Sequence, residues 1–232
     1  MIHPLGEYAI KGVIWYQGEG NRTRAKDYKS IFSAVIDSFR EQWNNNELPF
    51  YYVQLAPFGD IANKRRSGAE LVAQLREAQR LTLEKNNVGM AVIMDVGDSL
   101  DIHPLPKKPV GDRLALLALA KDYGKKDLVF SGPLFKGVSF KKNNAIISFD
   151  HVGSGLTYNG EKLKYFEIAG NDKKFYKASA ELIGNKVIVN SEKVSNPSYV
   201  RYGWKNYLTP NFVNKEGLPA SSFSSLINPF SQ

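Results

Sequence analysis

One of the three histidines in the 232-residue chain stands close to two carboxylates. His103 follows Asp98 and Asp101 in the stretch DSLDIHP at positions 98–104. Histidine is the usual proton shuttle near neutral pH, and a nearby carboxylate can orient its ring and stabilise the imidazolium. His103 is therefore a candidate general base. The competing interpretation is a surface histidine beside acidic residues that only solvate their loop.

A second group of polar residues has the sequence QGEGN at positions 17–21. Gln17 and Asn21 carry neutral amide donors, which suit the stabilisation of an oxyanion. Gly18 and Gly20 permit tight backbone turns and the close approach of a ligand, and Glu19 adds a carboxylate. The alternative is a turn that only connects a strand to the next helix.

These two groups lack a convincing nucleophile. Ser99 lies four residues before His103 on the same loop, and Ser67 lies in a different loop; neither has the setting of a strand-to-helix elbow. The chain contains no cysteine, which excludes a thiol nucleophile, disulfides and thiolate metal sites.

A hydrolytic metal centre is a rival interpretation of the same residues, since carboxylates and imidazole bind Mg²⁺ or Zn²⁺. The candidate ligands are Glu19, Asp98, Asp101 and His103. This set holds one histidine and leaves the amide donors unexplained, so the metal centre is the weaker of the two interpretations. Carbohydrate binding without catalysis is a further alternative, through the aromatic residues Trp15, Tyr16, Trp204 and Tyr207.

Three strand–loop–helix units in succession are expected to position these residues. Apolar, β-branched and aromatic runs predict strands at Ile10–Tyr16, Phe50–Ala56 and Ala91–Val96. Apolar residues at steps of three and four predict a helix after each strand. Such units form a parallel sheet with right-handed crossovers, which binds ligands beyond the carboxyl ends of its strands. The loops 17–26, 57–68 and 97–106 should therefore share one edge.

A change of pattern near residue 131 predicts a second domain. Short alternating runs separated by turn residues indicate an antiparallel sandwich or barrel. We therefore divide the chain into an α/β core at 1–130 and a smaller β-sandwich-like domain at 131–232. The polar tail at 221–232 is expected to be loosely held.

The net charge of +8 is concentrated in the second part of the chain. Residues 131–232 hold 13 Lys and Arg against 7 Asp and Glu, and residues 1–130 hold 18 against 16. The lysines are scattered, which favours solvated edges and loops over a nucleic-acid surface. No apolar run is long enough to span a membrane, and no signal peptide is visible. The oligomeric state is left open.

Two blocks of sequence resemble the sialate O-acetylesterase group of the SGNH hydrolases. The segment GVIWYQGEGN at 12–21 is similar to the GVIWYQGESN block of that group. The run DIHP at 101–104 resembles its histidine block, together with Lys107, Gly111, Arg113 and Leu114. The runs VRYGW at 200–204 and NKEGLPA at 214–220 are similar to the end of many bacterial members.

The resemblance implies a serine esterase with a flavodoxin-like α/β core that removes acetyl groups from sugar hydroxyls, typically those of sialic acid, outside the bacterial cytoplasm. It also implies that no metal and no organic cofactor is needed. His103 would be its general base, Asp101 the orienting acid, and Gln17 and Asn21 would line the oxyanion hole with backbone N–H groups. The alternative is a non-catalytic sugar-binding or interaction module derived from the same fold.

Three departures from the family pattern accompany this resemblance. The leading Gly-x-Ser block is absent, so we expect the first strand and the nucleophilic serine upstream of this chain, which alone should be a poor esterase. Gly20 stands where serine is usual. Leu100 occupies the position three before the histidine, where the wider superfamily carries its acid, so Asp98 is kept as the alternative to Asp101.

Overall fold

The structure is a computed structural model, and it describes residues 2–59 and 70–230. Its three α-helices are α1 at Ala25–Gln42, α2 at Leu71–Leu81 and α3 at Lys108–Lys121. The first three strands are β1 at Val13–Trp15, β2 at Phe50–Gln54 and β3 at Val88–Val92. Within the described residues, no helix has the length and apolar character needed to cross a membrane.

The later strands all pair in antiparallel fashion. They are β4 at Leu134–Lys141, β5 at Asn144–Asp150, β6 at Leu156–Tyr158, β7 at Phe166–Ala169, β8 at Tyr176–Lys177, β9 at Ser179–Ile183, β10 at Lys186–Asn190, β11 at Tyr199–Tyr202, β12 at Phe212–Asn214 and β13 at Phe223–Ser224.

The first three strands form a parallel sheet in the order β1-β2-β3. All five residues of β2 are buried, as expected for a strand covered on both faces. Phe50 and Tyr52 contribute to the core shared with α1 and α2, while Tyr51 and Val53 contribute to the core shared with α3. The prediction of an α/β core with three layers is therefore confirmed.

The predicted strands differ from the observed ones mainly at their ends. The third strand was expected at Ala91–Val96 and lies at Val88–Val92 instead. Its pairing ends where Val92 meets Gln54, the last residue of β2. Ile93 and Met94 continue as buried chain without a strand partner among the described residues, because β2 ends at Gln54, three residues before Pro57.

Eight of the ten antiparallel strands in the described residues form two four-stranded sheets, in the orders β4-β5-β10-β9 and β13-β11-β7-β8, and β6 pairs with β12 in a two-stranded sheet. Residues of both sheets share one core cluster, which includes Ile147, Val187, Phe166 and Tyr202. This arrangement agrees with the expected sandwich. Strand β13 also contacts α2 of the parallel part, so the two parts share an interface.

The prediction of a loosely held tail is wrong for its first residues. Ser221 and Ser222 are fully buried, and Phe223 and Ser224 form the edge strand β13. The tail is polar because its hydroxyl groups bond the parallel core: Gln54 donates to Ser221 Oγ at 2.8 Å and Arg76 Nε donates to Ser222 Oγ at 3.2 Å. Serines that satisfy buried donors have the same sequence signature as serines in a mobile tail.

Arg76 is the centre of this buried contact. Its side chain is fully buried, and its Nη2 donates to the carbonyl oxygens of Gly203 and Lys205. Burial lowers the pKa of Arg76 to about 9, and Tyr202 and Glu70 oppose that shift. The guanidinium therefore stays charged at neutral pH, and it ties α2 to the segment 203–205.

Replacement of Arg76 by methionine should destabilise the fold, because two carbonyls and a serine hydroxyl lose their donor in a buried place. We expect the free energy of unfolding to fall by about 3 kcal/mol in urea titrations. Lys108→Met, which removes an exposed pair with Asp112, should change it by less than about 0.5 kcal/mol. An Arg76→Met protein as stable as the parent would mean that relief of the buried charge cancels the lost bonds.

Candidate functional site

The carboxyl ends of β2 and β3 lead into two segments that lie side by side. Phe58 and Asp98 form an isolated parallel bridge beyond the last paired residues of the sheet. Gly97 leaves no room for a side chain against the carbonyl of Pro57, and Gly59 leaves none against the carbonyl of Ser99. Two glycines therefore allow the backbones after β2 and β3 to touch.

The loop after β1 is held by hydrogen bonds to Gln17. Tyr28 Oη donates to the Gln17 carbonyl oxygen at 3.2 Å and to its side-chain Oε1 at 3.3 Å. Burial, with a smaller contribution from Glu19, raises the pKa of Tyr28 to about 12 against the opposing bond from Gln79, so the phenol stays protonated and can donate. Gln79 Nε2 also donates to the Gln17 carbonyl, at 3.3 Å.

The two amide side chains of this loop are linked to each other. Gln17 Nε2 donates to Asn21 Oδ1 at 2.7 Å, and the Asn21 backbone N–H donates to the Gly18 carbonyl at 2.8 Å. The Asn21 carboxamide is thereby oriented through its oxygen, while its Nδ2 bonds no group in the described parts of the chain. Of the two predicted oxyanion donors, Asn21 is the one whose N–H groups are available, with Gln17 as its support.

The loop after β3 carries the predicted histidine and both candidate acids. Asp98 Oδ1 accepts from the backbone N–H groups of Leu100 and Asp101, at 2.7 and 3.1 Å, and these bonds lower the pKa of Asp98. Asp101 Oδ1 accepts from the His103 backbone N–H at 2.7 Å and lies 3.9 Å from His103 Nδ1. Asp98 therefore shapes the turn, and Asp101 is the carboxylate beside the imidazole.

The segment that connects β3 to this loop is fixed by Arg113, an arginine of α3. Arg113 Nη1 donates to the Val92 carbonyl at 2.8 Å, and its two terminal nitrogens bond the two oxygens of Asp95 at 2.6 and 2.7 Å. A bidentate arginine–carboxylate pair is geometrically specific. The His103 side chain itself is 81% exposed and so faces solvent from a fixed base.

The first and third loops meet at a narrow crevice. Glu19 of the first loop and Ile102 of the third line it together with Phe58. The Lys107 ammonium lies 5.8 Å from the centre of the Tyr16 ring, a second contact between the same two segments. Burial and the Glu19 charge raise the pKa of Tyr16 to about 12, so this phenol is neutral as well.

Most residues that line the crevice were not among the predicted site residues, and Arg22 and Phe58 are the two largest of these. Arg22 lines it, and its guanidinium lies 5.7 Å from the centre of the Phe58 ring. Arg22 follows the QGEGN group by one residue, so its place on the loop was a usable signal. Phe58 gave no such signal, because its position depends on the bridge to Asp98.

Two alternatives weighed from the sequence concern the same loops: a serine nucleophile within this chain and a metal centre. Within the described residues no serine hydroxyl bonds the His103 imidazole, and the Ser99 backbone lies against Gly59; Ser67 lies outside the described residues. Among residues 2–59 and 70–230, no three His, Asp or Glu side chains gather as ligands of a metal ion would. The geometry therefore offers a histidine–aspartate pair and amide donors on one edge.

The four aromatic residues proposed as a sugar platform differ in exposure: Trp204 is buried, Trp15 and Tyr16 are half-buried, and Tyr207 is exposed. The ring centre of Trp15 lies 6.4 Å from that of Phe32, in a stacked arrangement, and 5.9 Å from that of Phe39, edge-on. The Trp15 side chain therefore packs from β1 against α1. Trp204 is 4% exposed. Tyr16 alone of this set lines the crevice.

Comparisons with known proteins all point to acetylesterases that act on carbohydrates or sialic acid. The family model described as "Carbohydrate esterase, sialic acid-specific acetylesterase" matches residues 2–119. The human sialate O-acetylesterase is 29% identical over 98% of this chain and 48% of its own length. The rat sialate O-acetylesterase is 34% identical over 69% of this chain and 31% of its own length.

A solved structure is similar along almost the whole chain. The crystal structure of a carbohydrate acetylesterase from Xanthomonas citri matches with a TM-score of 0.91 and 43% identity, over 97% of this chain and 52% of that one. The chain thus spans about half the length of the human relative and of the solved protein. The catalytic roles of His103, Asp101 and the amide residues stay predictions.

The two glycines of the first loop should respond differently to a methyl group. Gly18 has φ +149°, and a Cβ there would lie 3.2 Å from Leu75 Cδ2, whereas a Cβ on Gly20 would meet nothing within 4 Å. We expect Gly18→Ala to lower the free energy of unfolding by about 2 kcal/mol. Gly20→Ala, and Gly20→Ser with the residue usual in the family, should leave it within about 0.5 kcal/mol in the same urea titration. Equal effects at both positions would contradict this account of the loop.

Proposed function

Because this chain belongs to the carbohydrate esterase family of sialic acid-specific acetylesterases, we propose that it is part of an enzyme that hydrolyses acetyl esters on sialic acid or a related sugar. Its serine nucleophile would come from a segment N-terminal to residue 1. The observation that carries this proposal is the meeting of the first and third loops, which brings amide donors and a histidine–aspartate pair to one edge.

The proposed chemistry is acyl transfer through a serine ester. His103 accepts the serine proton as Oγ attacks the acetyl carbonyl, and the Asn21 amide, with backbone N–H groups, stabilises the oxyanion. The C–O bond to the sugar breaks as His103 gives the proton to the departing sugar oxygen, which leaves as a hydroxyl group. Water, activated by the same imidazole, then releases acetate. Asp101 holds the ring and stabilises its charged form, and this mechanism requires no metal.

The free side of β1 is where we propose that the serine-bearing segment adds a strand. In the described residues β1 pairs only with β2, and Ile14 at its centre is 69% exposed. An apolar residue in a strand of a parallel α/β sheet is normally covered on both faces. An added parallel strand would end at the same edge as β1, with its carboxyl end beside Gln17 and Asn21.

The test compares this chain with a version extended upstream in its gene, on 4-nitrophenyl acetate and on O-acetylated sialic acid. We expect hydrolysis only from the extended protein. His103→Ala in that protein should lower kcat by about 10⁴-fold or more, since the proton acceptor is lost. His3→Ala, an exposed histidine away from the site, should leave kcat unchanged.

Two results would count against the esterase proposal. Full activity of His103→Ala would remove the imidazole from the mechanism. An extended protein that binds the sugar but does not hydrolyse its esters would favour the non-catalytic binding module instead.

The remaining parts of the proposal concern organisation and location. We propose the division into units 1–130 and 131–232, a periplasmic or secreted location in a bacterium, and sugar rather than nucleic acid as the partner. Cell fractionation of the extended protein tests the location, and sedimentation tests for a homo-oligomer. Activity confined to the cytoplasmic fraction would overturn the location.

A further inference from the structure

A cavity of about 350 Å³ lies in the antiparallel part of the molecule, and none of the candidate catalytic residues lines it. Its volume falls in the range of small-molecule sites. Buried apolar side chains form much of its wall, namely Leu163 at 6%, Phe166 at 2% and Trp204 at 4% exposure. Apolar and aromatic surfaces of this kind suit the C–H face of a sugar ring.

The rim of the cavity is strongly basic. Four lysines line it, namely Lys162, Lys164, Lys177 and Lys205. All four are exposed, and within the described residues none lies within 4 Å of a carboxylate. Glu167 is the one carboxylate of the lining, and Arg201 Nε bonds it at 2.8 Å, which offsets its charge. Lys177 lies opposite Glu167 in the pairing of β7 with β8, and Lys205 interacts with Glu70, so the positive charge is offset in part. The cavity still combines an apolar wall with an excess of positive charge on its rim, which favours an anionic ligand.

The backbone that carries these lysines is braced before any ligand binds. Asn211 is 7% exposed, and its Nδ2 donates to the carbonyls of Asn159 and Lys162, at 2.7 and 2.8 Å, while its Oδ1 accepts from the Lys164 N–H at 3.2 Å. Tyr165 has φ +66°, and its carbonyl accepts from the Gly203 N–H at 3.0 Å. A wall fixed in this way lowers the entropic cost of binding.

The cavity adjoins the candidate catalytic edge through one short segment. Lys205 lines the cavity, and the carbonyl of its neighbour Asn206 accepts from the N–H of Phe58 at 2.9 Å. Phe58 lines the crevice between the catalytic loops. Asn206 Oδ1 also accepts from the Val72 N–H at 3.0 Å, at the start of α2. The same turn is thus a wall of the cavity and a support of the crevice.

We propose that this cavity is a second binding site that takes a carboxylated sugar, with the carboxylate on the lysine rim and the ring against the apolar wall. The inference rests on the proposed function only for the choice of sugar, because sialic acid carries a carboxylate that is ionised at neutral pH. When one residue of an acidic glycan occupies the cavity, the neighbouring residues of that glycan would be held beside the candidate catalytic edge.

The test is isothermal titration of this chain with N-acetylneuraminic acid, with its methyl ester as the uncharged counterpart. We expect saturable binding of the acid and binding of the ester weaker by about tenfold, since a charge-assisted contact is worth roughly that factor. The double variant Lys164→Gln, Lys205→Gln should weaken binding of the acid by about tenfold or more. The matched double variant Lys141→Gln, Lys142→Gln, on the exposed turn between β4 and β5, should bind like the parent.

Other results would overturn the site or assign the ligand to another part of the molecule. Equal affinity for the acid and the ester, equal loss in both double variants, or equal affinity for inorganic phosphate would each overturn a carboxylated-sugar site. His103→Ala should bind the acid unchanged, and loss of binding in that variant would assign the ligand to the catalytic edge instead. Lysine-dependent binding with no hydrolysis by the extended protein would support this binding site and reject the esterase proposal. Hydrolysis by the extended protein without lysine-dependent binding would support the esterase proposal and reject this site.

Discussion

The parallel pairing of β1, β2 and β3 is the constraint on which the rest of the site depends. It sends three carboxyl ends to one edge, so that Glu19, Phe58 and Ile102, far apart in sequence, line one crevice. An antiparallel third strand would move His103 to the opposite edge. The close backbone approach at Gly59 and Gly97 then sets how near the second and third loops come.

The second constraint is the buried contact between the parallel and antiparallel parts. Arg76 is charged, fully buried and bonded to carbonyls of the segment 203–205 and to Ser222. The next residue, Asn206, supports Phe58 through its carbonyl. The antiparallel part is therefore fixed relative to the candidate catalytic edge, and so is the cavity proposed as a binding site. A polar contact of this kind specifies position, because carbonyl groups left without their donor are costly.

Sequence patterns were sufficient for the order and type of the elements. The alternation of apolar strands and amphipathic helices is strong in residues 10–118, and it predicted the parallel core and its common edge. The ends of β3 were missed because pairing depends on where β2 ends. The polar tail was misjudged because Ser221 and Ser222 bond partners 146 to 167 residues away, and composition carries no signal of such distant bonds.

The candidate site was predictable in its members and less so in its geometry. The residue types of Gln17, Asn21, Asp101 and His103 indicated an oxyanion and a proton acceptor, and the resemblance to a known family supplied roles. Neither source indicated that Gln17 supports Asn21 or that Asp98 holds the turn, whereas Asp101 was the expected acid and lies 3.9 Å from His103 Nδ1. Those distinctions arise from local hydrogen bonds that a linear pattern does not encode.

The central claim is that this chain supplies the proton acceptor for a serine carried by another segment. Fluorophosphonate labelling of the extended protein, with the modified peptide identified by mass spectrometry, tests it most directly, since the probe reacts with an activated serine. The account predicts one labelled serine N-terminal to residue 1 of this chain, and labelling lost in His103→Ala. A serine within this chain as the labelled residue, or labelling that persists without the imidazole, would contradict it.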